Sequence, residues 1–492
     1  MTTTISAAPF EAPANGTLWA AIIDGEPRPA IGGGTFAVSN PATGETIAHV
    51  ADCDAHDTDQ AIAAADLALA GWRSQSAAQR GAILQRWYEL MLDHEERLAR
   101  LITEEMGKPL AEARGEIKYG AGYLKFYAEE AERIYGEIIP LPEAGARALI
   151  TRGPVGVCAA ITPWNFPSAM LLRKVAPALA AGCTMVAKPA EDTPLSALAM
   201  AQIAIEAGVP KGVFNVVPCS TPHAVGGALT ASPIVRKLSF TGSTQVGRKL
   251  LEMCAPTVKR TSMELGGNAP FIVFADADID AAVSGAMLAK YRNAGQTCVC
   301  ANRIYVERSI AEEFAQKLTQ QAGAMTIGHG LEPGVEIGPM INSKAIEKAQ
   351  ELLNDAVERG ARILTGGSRH GELFLEPTVL GDVSPDARLL KEEIFGPVAP
   401  IVGFDSEAEV IALANDTEYG LAAYCYTRDL GRAFRMSEAL DYGMVGINEG
   451  IVSSVGAPFG GVKQSGMGRE GSRHGIEDYL EIKYTRMGGL GQ

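Results

Sequence analysis

Residues 168–217 read SAMLLRKVAPALAAGCTMVAKPAEDTPLSALAMAQIAIEAGVPKGVFNVV, and their rhythm decides the fold. A helical run over 168–181 stops at Gly182, and a short apolar run over 184–188 follows. A second helical run over 194–207 stops at Gly208, and another strand-like run spans 213–217. Glycine just past a helix supplies the left-handed residue that ends it. The alternation continues with a short helix, strand 235–240, helix 243–254 and strand 258–265. Repeated β-α-β units of this length predict a parallel sheet covered by helices on both faces, over about residues 153–265.

A second alternating block opens at Pro270-Phe-Ile-Val-Phe274. It predicts helix 278–290, strand 302–307, helices near 310–322 and 342–358, and further pairs to about residue 448. Upstream, residues 35–50 read as a hairpin around Asn40-Pro-Ala-Thr-Gly44, residues 57–133 turn helical and alanine-rich, and 148–161 is strand-like throughout. The tail Asp478-Tyr-Leu-Glu-Ile-Lys-Tyr484 alternates like a strand. Paired with 139–153 it predicts a small projecting sheet, and such an exposed strand is a hazard unless another subunit covers it. A homodimer or homotetramer is the expectation.

Composition narrows the function classes. The 492 residues suffice for about three compact units. There are 43 basic and 58 acidic side chains, a net charge of −15, which disfavours a nucleic-acid partner because phosphate binding needs a basic face. No run of about eighteen apolar residues predicts a membrane span. The first sixteen residues lack the basic start and apolar core of a leader, so a cytoplasmic location is expected. The eight cysteines follow no disulfide framework, and the seven histidines never sit at metal-ligand spacing, so no metal is expected.

Three segments carry reactive side chains flanked by turn formers. Tyr291-Arg-Asn-Ala-Gly-Gln-Thr-Cys298-Val-Cys300 offers a thiol, Met263-Glu264-Leu265-Gly266-Gly267 a carboxylate, and Pro163-Trp164-Asn165-Phe166-Pro167 a side-chain amide. Nucleophile, general base and oxyanion donor make up the inventory of covalent acyl-enzyme chemistry. Phe240-Thr-Gly-Ser-Thr-Gln-Val-Gly247 follows a strand and opens a helix, as a pyrophosphate site does. It reads equally as a tight turn with a serine cap. Lys188-Pro-Ala-Glu191 stands at a strand's C-terminal end, where open α/β sheets bind ligands, yet four such residues also suit a surface turn. Cys298 alone is equally a buried filler, and Glu392-Glu393-Ile-Phe-Gly-Pro397 alone is an acidic turn. Function is argued from their conjunction.

Taken together, TPWNFP, KPAEDTP, FTGSTQVG, MELGGNAPFIVF, RNAGQTCVC, EEIFGP and APFGGVKQSGMGREG occur in an order and at separations that resemble the NAD(P)-dependent aldehyde dehydrogenase superfamily over essentially the whole chain. The resemblance implies an α/β fold of two parallel-sheet domains with a small β oligomerisation segment. A Rossmann-type cofactor domain would take residues 1–137 and 154–265, a catalytic domain 266–470, and the oligomerisation segment 138–153 and 471–492. It implies Cys298 as nucleophile, Asn165 as oxyanion donor and Glu264 as the base that activates water. It implies cofactor contacts at Thr162, Pro163, Trp164, Lys188, Glu191, Gly242, Ser243, Val246, Leu265, Glu393 and Phe395. Glu191, a carboxylate beside the adenosine ribose, favours NAD over NADP.

Within that superfamily, RNAGQTCVCANR, NEGIVSS and FGGVKQSGMGREGS are most similar to succinate-semialdehyde dehydrogenases. That similarity implies Arg173, Arg292 and Ser453 as a clamp on the far carboxylate of a small aldehyde, since a guanidinium fork binds a carboxylate through two parallel bonds. Glutarate semialdehyde, one methylene longer, and general aldehydes are the alternatives. The same similarity implies a reversible Cys298–Cys300 disulfide, against the plainer reading of Cys300 as a small residue in a crowded loop. A relative that passes its thioester to coenzyme A is disfavoured by Glu264, and a catalytically dead one by the joint presence of Cys298, Glu264 and Asn165.

Overall fold

A computed structural model describes residues 18–490; residues 1–17 and 491–492, which carry the leader expectation and the extreme ends of two expected segments, lie outside the described residues. Five strands in chain order, Val157–Ile161, Thr184–Lys188, Phe214–Val216, Val235–Thr241 and Arg260–Glu264, form the parallel heart of an eight-stranded sheet. Across the sheet they lie in the order fifth, fourth, first, second, third. Strand order therefore reverses between Val157–Ile161 and Val235–Thr241. In an open α/β sheet the crevice beyond the carboxyl ends at such a reversal is where ligands bind. Those ends are Thr162, Lys188, Gly242 and Leu265.

Ala21–Ile23 and Glu26–Arg28 extend one edge antiparallel, and Gly466–Met467 pairs antiparallel with Met263–Glu264 at the other. The last pairing corrects the expectation that residues 266–470 keep to one unit: the chain returns to the first sheet beside Glu264. The helical stretch resolves into Ala55–Ser74, Ala77–Asp93, Glu95–Met106 and Leu110–Glu130. Capping boxes start the first two, Asp54 with Asp57 and Ser76 with Gln79, satisfying backbone N–H groups that have no partner within the helix.

The second sheet has seven strands, in the order Arg362–Thr365, Thr378–Gly381, Val398–Phe404, Ala301–Glu307, Ala269–Val273, Ala422–Tyr426 and Met444–Ile447. All its pairs are parallel except the one at the Arg362–Thr365 edge. Only four residues separate Glu264, which ends a strand of the first sheet, from Ala269, which starts one of the second. The carboxyl edge of one sheet thus runs into the amino edge of the other, and the thiol loop before Ala301 is drawn to the same seam.

The expected tail pairing is present: Leu480–Met487 runs antiparallel to Arg147–Pro154, which also pairs with Glu137–Pro140. The strand-like stretch 148–161 holds two strands. Pro154, without an N–H, and Gly156 at φ +127° break it, sending one half to the projecting sheet and the other to the first sheet. The projecting sheet leaves Ile138, Ile482 and Tyr484 more than half exposed.

Candidate active site

Helix Ile279–Tyr291 delivers the chain to the nucleophile loop, where Asn293, Ala294 and Gly295 follow one another at φ +54°, +53° and +74°. Left-handed backbone at a residue with a Cβ costs about 1–2 kcal/mol, so the surroundings must hold it. They do. Glu112 accepts the Asn293 N–H (2.8 Å), Asn293 Nδ2 donates to the Asn165 carbonyl (3.0 Å), and Gln296 Oε1 accepts the Ile341 N–H (2.9 Å). At Gly295 a Cβ would lie 2.3 Å from the Gly396 carbonyl oxygen, so the loop is wedged shut there.

Cys298 emerges from this loop onto a cavity of about 310 Å³. Burial, then the charge of Glu264, pushes its thiol pKa up to about 12, with Arg173 and Arg292 pulling the other way. The resting sulfur therefore carries its proton near neutral pH and needs a base. Glu264, at the end of its strand, is 3% exposed, and neither carboxylate oxygen has a hydrogen-bond partner. Burial and the neighbouring Glu470 raise it to about 8, against Arg173 and Lys174. A buried carboxylate with unclaimed lone pairs and a pKa in this range is built to take up and release a proton.

Asn165 is set by the backbone it stands on. Lys108 and Asn293 both donate to its carbonyl oxygen, and Lys108 is paired with Glu116 at 2.5 Å. Glu116 also accepts the N–H groups of Ser168 and Ala169 at the start of helix Pro167–Ala181. The Asn165 side-chain amide uses one hydrogen on the Gln296 carbonyl (3.0 Å) and keeps one for another acceptor. Amide nitrogen, thiol and carboxylate thus converge on the seam from three segments far apart in sequence.

Arg173, Arg292, Ser453 and Cys298 line the one cavity, with Phe166, Met170, Val299 and Phe459 as its apolar walls. Arg292 has a buried Nε without a hydrogen-bond partner. Arg173 departs from the expected open fork: its Nε donates to Tyr123 Oη (3.1 Å), its Nη2 to Tyr119 Oη (2.8 Å), and its Nη1 lies 3.7 Å from Glu470 Oε2. The reason is burial, since a guanidinium 1% exposed must find partners inside the protein.

The cofactor expectations fall along the crevice at the reversal. Ser243 caps helix Thr244–Cys254 by accepting the Val246 N–H, and both Ser243 and Val246 face outward. Gly242 donates its N–H to the Glu264 carbonyl and packs on Phe240, whose ring would lie 2.5 Å from a Cβ. Leu265 donates its N–H to the Ser465 carbonyl and fills the space beside Gly247. Lys188 is buried, with Nζ on the Pro189 carbonyl and on Glu191 at 3.3 Å. Glu393 accepts the Gly267 N–H and is raised to about 7 by burial. Phe395, at φ +52°, turns its ring edge-on to Trp164 with centroids 5.5 Å apart, and Thr162 donates its N–H to the Lys188 carbonyl beside Pro163. An open helix start, a cradle too tight for a Cβ and an exposed apolar Val246 fit a dinucleotide.

The family model described as the aldehyde dehydrogenase family matches residues 30–485. This chain belongs to that family. It is an oxidoreductase that converts an aldehyde to the acid with a nicotinamide cofactor. It is 57% identical to the succinate-semialdehyde dehydrogenase [NADP(+)] of Escherichia coli (strain K12), over 95% of this chain and 97% of that one. It is also 57% identical to the 3-sulfolactaldehyde dehydrogenase of Pseudomonas putida (96% and 97%) and to a glutarate-semialdehyde dehydrogenase of Pseudomonas aeruginosa (96% and 98%). A solved NADP-dependent enzyme of E. coli superposes with a TM-score of 0.95 at 57% identity, covering 96% of this chain and 98% of that one.

Sequence reasoning missed Lys108, Glu112, Glu116 and Tyr119, which share one stretch at and before the start of helix Leu110–Glu130. Their spacing at 112, 116 and 119 was the available signal, since it puts two acids and a phenol on one helix face. Glu470 lay in the quoted APFGGVKQSGMGREG string without a role. Cys300 is buried, with its Sγ toward the carbonyl oxygens of Lys290 and Ala301 (3.6 and 3.7 Å), and both it and Cys298 are free thiols. Among the described residues no helix is long and apolar enough to cross a membrane, and no group of three His, Cys, Asp or Glu side chains could hold a metal ion.

Proposed function

We propose that the substrate is an aldehyde with an anionic far end, succinate semialdehyde foremost, and that Cys298, Glu264 and Asn165 do the chemistry. The observation that carries this reading is Arg292, a guanidinium with an unpartnered buried Nε, on the same cavity as the Cys298 thiol. Glu264 takes the proton of the Cys298 thiol and passes it to solvent, and the thiolate attacks the aldehyde carbon. The oxyanion of the thiohemiacetal takes the free Asn165 amide hydrogen, and a fixed donor of this kind is worth about a hundredfold or more in rate. The nicotinamide cofactor, when bound along the crevice, supplies the hydride acceptor. Glu264 then draws a proton from water, which attacks the Cys298 thioester and frees the acid.

Glutarate semialdehyde is the second reading, because one methylene is worth only about 1–3 kcal/mol of discrimination. The names of the relatives, which include a sulfonated aldehyde, support an anion-binding pocket more firmly than a chain length. NAD is preferred over NADP: Glu191 already answers the charge of Lys188, leaving less for a 2′-phosphate. The projecting sheet, with its exposed Ile138, Ile482 and Tyr484, supports a homodimer or homotetramer, and the expected division at residues 137, 153, 265 and 470 stays our assignment apart from the return of Gly466–Met467 to the first sheet. The eight free cysteines support a reducing cytosolic setting.

Reduced cofactor formation across succinate semialdehyde, glutarate semialdehyde, butanal and benzaldehyde tests the reading. Butanal should be far poorer than its carboxylated counterpart, and Arg292→Ala should erase that gap. Equal rates on both would return the enzyme to a general aldehyde dehydrogenase.

A further inference from the structure

The Arg173 surroundings settle which groups can donate into the cavity. A bidentate grip needs two neighbouring N–H groups on one guanidinium edge, and on the Nε/Nη2 edge both are taken by the tyrosine hydroxyls. The remaining nitrogen faces Glu470. Arg173 thus spends its Nε/Nη2 edge on the two hydroxyls, while Nη1, 3.7 Å from Glu470 Oε2, makes no hydrogen bond.

The two hydroxyls lie 2.6 Å apart, so one donates to the other. Each also accepts from Arg173, which cannot give up its proton. Suppose Tyr119 donated to Tyr123. The Tyr123 oxygen would then be full as an acceptor, and its own O–H would need a further partner. Tyr123 is completely buried, and among the described residues its hydroxyl has no other hydrogen bond. The opposite direction leaves nothing unsatisfied inside: Tyr123 donates to Tyr119, and the Tyr119 O–H is left over. Tyr119 is the one of the pair that lines the cavity with Cys298, Arg292 and Ser453.

We propose that Tyr119 determines substrate specificity by donating its hydroxyl hydrogen to the anionic far end of the aldehyde, with Arg173 behind it polarising the O–H. This rests on the reading of the substrate given above and changes the part Arg173 plays in it. Arg292 and Ser453 complete the contact, and a hydroxyl that accepts from a cation is a stronger donor than a free phenol.

The test is steady-state kinetics of the full enzyme with its cofactor on succinate semialdehyde and on butanal, which has the same four carbons without the charge. Tyr119→Phe should lower the ratio of the two kcat/KM values roughly ten- to a hundredfold, mostly through the KM of the semialdehyde, as loss of one hydrogen bond to an ion does. Tyr123→Phe also takes a hydroxyl from Arg173 but leaves that of Tyr119, and should lower the ratio by less than about threefold. Equal losses in the two variants would show that the pair only braces Arg173 and would overturn the proposal. A ratio unmoved by Tyr119→Phe but collapsed by Arg292→Ala would also overturn it, while leaving the anionic substrate standing. A ratio near one in the unaltered enzyme would remove the substrate reading and this proposal together.

Discussion

Two buried carboxylates, Glu116 and Glu264, live in opposite conditions. Glu116 is ringed by donors: the Lys108 ammonium and the N–H groups of Ser168 and Ala169. Glu264 has none on either oxygen, and another carboxylate, Glu470, presses on it. The first arrangement fixes a loop, because every lone pair that matters is occupied. The second leaves a proton acceptor that the fold has not satisfied, at a place where water and a thiol must give up protons. Burial alone does not make an acid reactive; the absence of donors around it does.

Glu264→Gln is the sharpest way to break that contrast. Steady-state turnover should fall on the order of a hundred- to ten-thousandfold. The first equivalent of reduced cofactor per active site should still appear in a rapid-mixing burst if hydrolysis is the step lost. Glu116→Gln should do the reverse, leaving Lys108 buried without its counter-charge and costing about 3–5 kcal/mol of stability. A thermal midpoint several degrees lower, with turnover per folded molecule falling less than in Glu264→Gln, would bear this out; unaltered melting would dissolve the distinction.

Asn165→Ala probes what the Glu116 side exists to position. Its kcat should fall about a hundred- to a thousandfold while cofactor affinity, read by fluorescence titration, barely moves. The smallest effect is that of pH. The Glu264 pKa lies raised at about 8, so the base form is scarce below that value and complete above it. Where hydrolysis limits, kcat should climb roughly tenfold per pH unit up to about pH 8 and then level. A profile already flat from pH 6 would show that Glu264 is ionised throughout and would overturn this expectation.

Much of this was legible in the residues. The helix-glycine-strand rhythm over 168–217 marks the parallel sheet, and the Gly-Gln-Thr turn marks the loop that brings the Cys298 thiol onto the cavity. The left-handed run Asn293-Ala294-Gly295 could not be read there, because Ala294 carries no local preference for it and is held by groups from residues 112, 165 and 396. The return of Gly466–Met467 to Glu264 was hidden for a similar reason: a two-residue strand leaves no period to detect. Arg173 was expected in a carboxylate clamp, and the structure places it on the cavity held by Tyr119 and Tyr123, which the sequence did not single out. Helical periodicity says which side chains share a face and is silent on what that face meets.

The Lys188–Glu191 pair has a further consequence. Lys188 is locked in the interior, whereas the Glu191 side chain that pairs with it is 45% exposed on a turn. Replacing that one acidic residue would leave the Lys188 charge with only the Pro189 carbonyl as partner. On the proposed reading, the choice between the two coenzyme pools of a cell hangs on one half-exposed side chain, so a single substitution could redirect the redox supply of the same reaction.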